Sequence, residues 1–148
     1  MNRVLAWSSR QRLHGAAAWI PTIVRLVTGA LFVSISTGKF VDHAQESLDF
    51  DRYGVPFPEV TTYLVGTLEL VCGALVVIGL LTRPAALLLA ANLVGAIATA
   101  GRVEGGSFNL GVAPAMLVAM LFLVWTGCGR LGLDARRSTS PRAVADAT

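Results

Sequence analysis

The chain has 148 residues, 54% of them hydrophobic and only 14% charged. Soluble domains run near a quarter charged, so this composition and a mean hydropathy of +0.64 exclude an ordinary soluble domain, and the apolar content excludes a disordered one. The length leaves no room for a multidomain enzyme, and the net charge of +3 is expected on one membrane face rather than as a sign of nucleic-acid binding.

The first nineteen residues form a basic segment with Arg3, Arg10 and Arg12. They resemble the start of a signal peptide, but the apolar run continues well past the small residues 15–18 and contains Arg25, which predicts an uncleaved first span. Crossing about 30 Å of hydrocarbon takes roughly 20 residues of helix. Residues 20–38 carry only Arg25, residues 60–82 only Glu69, and residues 84–101 and 105–129 carry no charge. Four helices are therefore predicted near 20–40, 60–81, 84–101 and 110–127. Pro21 falls in a first helical turn, where it is tolerated. Gly54-Val55-Pro56-Phe57-Pro58 cannot be helix interior and ends the first loop. Thr82-Arg83-Pro84 reads as a tight turn, Gly101, Gly105 and Gly106 as a break, and Gly127 with Gly129 as a stop. Residues 135–148, rich in Arg, Ser, Ala and Pro, are predicted to be disordered. The fold class is thus all-α: a polytopic four-transmembrane-helix bundle at 20–134 between a basic segment at 1–19 and a tail at 135–148.

Orientation follows from Lys and Arg. One face would hold Arg3, Arg10, Arg12, Arg83, Arg130, Arg136, Arg137 and Arg142, the other only Lys39, Arg52 and Arg102. The richer face is expected to be cytoplasmic, with both termini on it. The first loop then faces out with Asp42, Glu46, Asp49, Asp51 and Glu59. Trp7, Trp19 and Trp125 flank the inner end, and Tyr53, Phe57 and Tyr63 suit an outer aromatic belt.

Charges within a span are costly and mark function or structure. At 100° per residue, Arg25, Gly29, Phe32, Ser36 and Lys39 share one side of the first helix. Thr62, Gly66, Glu69 and Gly73 share one side of the second, and Asn92, Gly95, Ala96 and Thr99 one side of the third. Small residues let membrane helices approach, and the Ser34–Gly38 and Ala91–Gly95 spacings add to that pattern. The predicted polar interior, and the candidate ligand site, is Arg25, Glu69 and Asn92 with Lys39 near the outer mouth. With a depth difference of roughly 5–10 Å, Arg25 is the expected partner of Glu69 and Lys39 the weaker one.

Cys72 and Cys128 lie at depths roughly 10 Å or more apart, too far for a disulfide. Cys72 reads as a small buried hydrophobe, whereas Cys128, near the interface beside Arg130, is a candidate reactive thiol. His14 and His43 fall on opposite faces, so no metal or haem site is expected. Met116 and Met120 read as core.

These residues assemble into a family resemblance. Arg25-x3-Gly29 with Gly38-Lys39-Phe40, then Tyr53-Gly54-Val55-Pro56-Phe57-Pro58, resemble the opening of the DoxX family. Gly66-Thr67-Leu68-Glu69-Leu70-Val71-Cys72-Gly73 with Gly79-Leu80-Leu81-Thr82-Arg83 resembles its most telling stretch. Gly127-Cys128-Gly129-Arg130-Leu131-Gly132-Leu133-Asp134 resembles its close, with Cys128 and Gly132 where Pro and Ser are usual. The resemblance implies a four-helix protein of the bacterial inner membrane. Its relatives include a small subunit of a thiosulfate:quinone oxidoreductase, and in mycobacteria a member is linked to an oxidoreductase complex with superoxide dismutase and a sulfurtransferase. The family has no agreed catalytic residues, so none is carried over.

Three functions are set against one another. The first is a membrane subunit or anchor of a redox and thiol-stress system, not a stand-alone enzyme. It would bind a quinone-like lipid through Arg25 and Glu69 and meet soluble partners on the cytoplasmic face. The second is a small transporter with Glu69 as proton relay, which would need a homo-oligomer. The third is a scaffold in which the buried pair only fixes helix register.

Overall fold

The computed structural model describes residues 7, 12, 13, 15–103 and 111–134. Arg3, Arg10, His14, the glycine break at 105–106, the first residue of the predicted fourth helix and the tail at 135–148 lie outside the described residues. The described residues are all-helical, with a 3-10 turn at Gly15–Ala18 followed by α1 (Trp19–Val41), α2 (His43–Arg52), α3 (Pro58–Ile78), α4 (Thr82–Val103) and α5 (Ala113–Thr126). The stretch Gly15–Val41 and helices α3 and α4 are long and apolar enough to cross a membrane, and α5 is a shorter apolar helix of 14 residues.

Four of the five helices follow the charge-free stretches, because only runs with every backbone group paired internally persist in hydrocarbon. The fifth, α2, replaces the expected loop. Its ten residues alternate acids with Leu48 and Phe50, and such a short polar helix leaves no long apolar run to detect. Gly54, at φ 72°, and Phe57, at φ 52°, take left-handed backbone between α2 and α3, and Pro58 then opens α3.

Close approach of backbones fixes the register of α1 against α3. A Cβ on Gly29 would fall 2.7 Å from Val77 Cγ2 and 3.1 Å from the Gly73 carbonyl oxygen, and one on Gly73 would fall 3.0 Å from Phe32 Cβ. The facing pattern of the first two helices holds: Arg25, Gly29, Phe32, Ser36 and Lys39 are all buried, as are Thr62, Gly66, Glu69 and Gly73. On α4 the buried face is instead Ala85, Ala86, Leu89, Ala90 and Leu93. With Phe32, Cys72, Val76, Ala113, Met116, Met120 and Leu123 these form the apolar core. The Ser34–Gly38 and Ala91–Gly95 spacings do not mediate packing, since a Cβ on Gly38 or Gly95 meets nothing within 4 Å.

Candidate functional site

At the end of the bundle nearest α2, three helices each contribute one polar side chain to a common point. Lys39 Nζ of α1 lies 3.1 Å from Glu69 Oε2 of α3, and the two side chains are 10% and 8% exposed. The contact is an ion pair. Asn92 Nδ2 of α4 donates to Glu69 Oε1 at 2.8 Å. Removing a carboxylate and an ammonium from water is costly, and pairing plus hydrogen bonding is what makes their burial tolerable. Lys39 makes no other polar contact among the described residues.

This group forms part of the wall of a cavity of about 540 Å³. Phe32, Ile35, Val65, Leu93, Ala96 and Met116 supply apolar wall, and Glu46, Asp49, Phe50 and Tyr53 bring α2 and the turn after it to the rim. The cavity exists partly because α4 presents Gly95, Ala96, Thr99 and Ala100 to it: small side chains leave space that no neighbour fills. Gly95, Ala96 and Thr99, read in sequence as helix-packing residues, are cavity lining. A second apolar groove, about 390 Å³, lies between Thr28 and Leu31 on α1 and residues 111–115, and Met116 lines both spaces.

The expected pairing of Arg25 with Glu69 is not what forms. Gly29 seats against Gly73 and Val77, and Lys39 Cβ against Gly66, which sets Arg25 level with Gly79. Glu69 then lies about ten residues, or roughly 15 Å, away along the axis. A depth difference of only roughly 5–10 Å would need α1 and α3 to end level, but α3 begins above the end of α1, because α2 and the turn after it occupy that height. Lys39 therefore takes the place expected of Arg25.

Arg25 belongs to a second polar cluster at the opposite end. It is 2% exposed, and its Nη1 sits where a Cβ of Gly79 would be. Its Nε and Nη1 have no hydrogen-bond partner among the described residues. Gly79, at φ 74°, closes α3 with a Schellman pattern: its N–H reaches Val76 O at 3.2 Å and Leu80 N–H reaches Leu75 O at 3.0 Å. Asp134 then accepts from the N–H groups of Leu81 at 3.1 Å and Thr82 at 3.0 Å, supplying the start of α4 with the anion its dipole favours. Arg83, counted in sequence as a surface charge, is 3% exposed and donates to the Trp125 carbonyl at 3.2 Å. Cys128 is fully buried, its Sγ only 2.6 Å from where a Cβ on Gly132 would fall. Cys72 is also buried, and neither cysteine forms a disulfide among the described residues.

The sequence profile of the DoxX family matches residues 20–102, more than half of the chain. The chain belongs to the DoxX family. Among similar proteins is the membrane protein Rv3486 of Mycobacterium tuberculosis (strain ATCC 25618 / H37Rv), named as uncharacterized. It is 38% identical over 147 residues, covering 90% of this chain and 89% of the relative. A protein of Bacillus subtilis (strain 168) named "Putative oxidoreductase CatD" is 30% identical over 112 residues, covering 76% of this chain and 82% of the relative. No solved structure matches the chain. Within this DoxX protein, Lys39, Glu69 and Asn92 come together at the cavity, whereas Arg25 and Cys128 stand apart from it. Arg83 and Asp134 are the polar residues that sequence reasoning missed, and their place in the Leu81-Thr82-Arg83 and Leu133-Asp134 motifs was the signal available.

Proposed function

We propose that this DoxX protein is the ligand-holding membrane subunit of a redox system in the bacterial cytoplasmic membrane. The occupant of its cavity is a neutral, mostly apolar molecule with an oxygen-bearing head, of the quinone class. The observation that carries this reading is the cavity itself, a largely apolar chamber in which, among the described residues, the buried charges are a mutually neutralising Lys–Glu pair. Its volume falls in the range of small-molecule sites, which combine apolar walls with a few placed polar groups. A pair that sums to zero favours an uncharged head, and Lys39 keeps N–H donors to offer a carbonyl oxygen. Lys39 and Asn92 thus orient the head, and Glu69 holds both of them. The redox assignment draws on the family resemblance and on the name of the Bacillus relative.

Both termini are read as cytoplasmic from the Arg distribution, with soluble redox partners meeting that face and the cavity opening to the other. Glu69 is tied to both Lys39 and Asn92, which favours ligand positioning over a free proton relay. The test is to purify the protein from its native membrane, analyse co-extracted lipid for quinones and titrate with decylubiquinone. Saturable binding that is lost in Lys39→Met and Gly95→Leu is expected. No co-purified quinone and no saturable binding would overturn the reading.

A further inference from the structure

All three tryptophans of the chain lie at the bundle end remote from α2, and each has an arginine over its ring. Arg12 Cζ is 5.5 Å from the Trp125 centroid, Arg83 Cζ 5.5 Å from Trp7 and Arg130 Cζ 5.8 Å from Trp19. The three pairs are not equivalent. Arg83 is buried and bonded within the bundle. Arg12 and Arg130 are exposed, and so are their indoles, Trp125 at 52% and Trp19 at 43%. Neither Arg12 nor Arg130 has an acidic partner among the described residues.

Both arginines stand on anchored backbone. Arg12 N–H donates to Thr126 O at 3.2 Å, and Arg130 N–H donates to Thr22 Oγ1 at 3.0 Å and to Ala18 O at 3.2 Å. A guanidinium over a ring keeps N–H groups for other partners, and its fork matches a phosphate with two parallel bonds. Indole prefers the depth at which lipid headgroups begin. A fork held at that depth, by a pinned backbone and a ring beneath it, loses little freedom on binding.

We infer that Arg12 on Trp125 and Arg130 on Trp19 form two seats for the phosphates of anionic phospholipids. The partner is the lipid headgroup itself, and the seats are independent of the cavity and its occupant.

The full chain is placed in nanodiscs of phosphatidylcholine, with and without phosphatidylglycerol, and its thermal unfolding is followed. Wild type is expected to gain about 3 °C or more from phosphatidylglycerol. The doubly substituted Arg12→Gln/Arg130→Gln protein should lose most of that gain. The informative variant is Arg12→Lys/Arg130→Lys, which keeps every charge but removes the fork; it should lose at least half of the gain. These side chains are exposed, so the variants fold. No gain in wild type, a full gain in the Lys variant, or the same gain from inorganic phosphate added to phosphatidylcholine discs would each overturn the inference.

Discussion

Two polar clusters among the described residues both bury charge, yet they are opposite in character. At the end that holds Arg25, Arg83 and Asp134 the packing is tight: Gly79, Gly129 and Gly132 have no room for even one added carbon. Around Lys39, Glu69 and Asn92 the packing stops short, and about 540 Å³ remains open. Buried charge alone therefore does not mark a site. Charge sealed by close packing joins helix ends and holds the fold, whereas charge facing a space is available to a ligand. Substitutions at the two ends should separate along that line, with stability lost at the first and binding lost at the second.

The largest effect is expected at Asp134. Asp134→Ala removes the anion that caps α4 and should cost about 3–5 kcal/mol in denaturant unfolding. Asp134→Asn, which keeps the acceptor but not the charge, should restore part of this. Gly79→Ala places a carbon on Arg25 in a left-handed backbone and should cost about 2–4 kcal/mol. If either variant unfolds like wild type, the sealed cluster does not hold the fold. At the open end, Glu69→Ala leaves Lys39 buried without its partner and should cost about 3 kcal/mol. The doubly apolar Lys39→Met/Glu69→Leu protein should lie within about 1 kcal/mol of wild type, with decylubiquinone affinity reduced more than tenfold. A double variant no more stable than the single one would mean that the pair is structural. The smallest change in stability, within about 1 kcal/mol, is expected from Gly95→Leu, which fills the cavity without meeting a neighbour. Its decylubiquinone affinity should fall at least tenfold, and Gly29→Leu, the same change at a packed glycine, should instead prevent folding.

Much of this was legible in the sequence, and the failures have physical causes. The membrane helices were legible because uninterrupted apolar length has one solution in lipid. The inward faces of α1 and α3 were legible because their polar residues recur at helical spacing beside small ones. Lys39, Glu69 and Asn92 were all identified, yet the partner of Glu69 was not, because relative depth is fixed by the Gly29–Gly73 contact and not by residue counts from the helix ends. Gly95 and Ala96 misled for a related reason. Small residues permit close packing and permit empty space, and only the position of the neighbouring helix decides between them. Arg83 and Asp134 sit at helix ends, where sequence counts charges toward orientation and has no means of finding backbone partners 42 to 53 positions away.

The cap that Asp134 supplies has a consequence for the order of assembly. The N–H groups of Leu81 and Thr82 receive their partner from a residue 53 and 52 positions later in the chain. Until that residue arrives, α4 begins with its first donors unanswered and Leu81 holds its left-handed backbone, φ 50°, without the bonds that secure it. The pairing of α1 with α3 needs nothing from the last segment, since its contacts are complete by Ile78. Synthesis therefore yields a settled helix pair first and a provisional one after it, and the final turn of the described chain acts as the latch that completes the bundle.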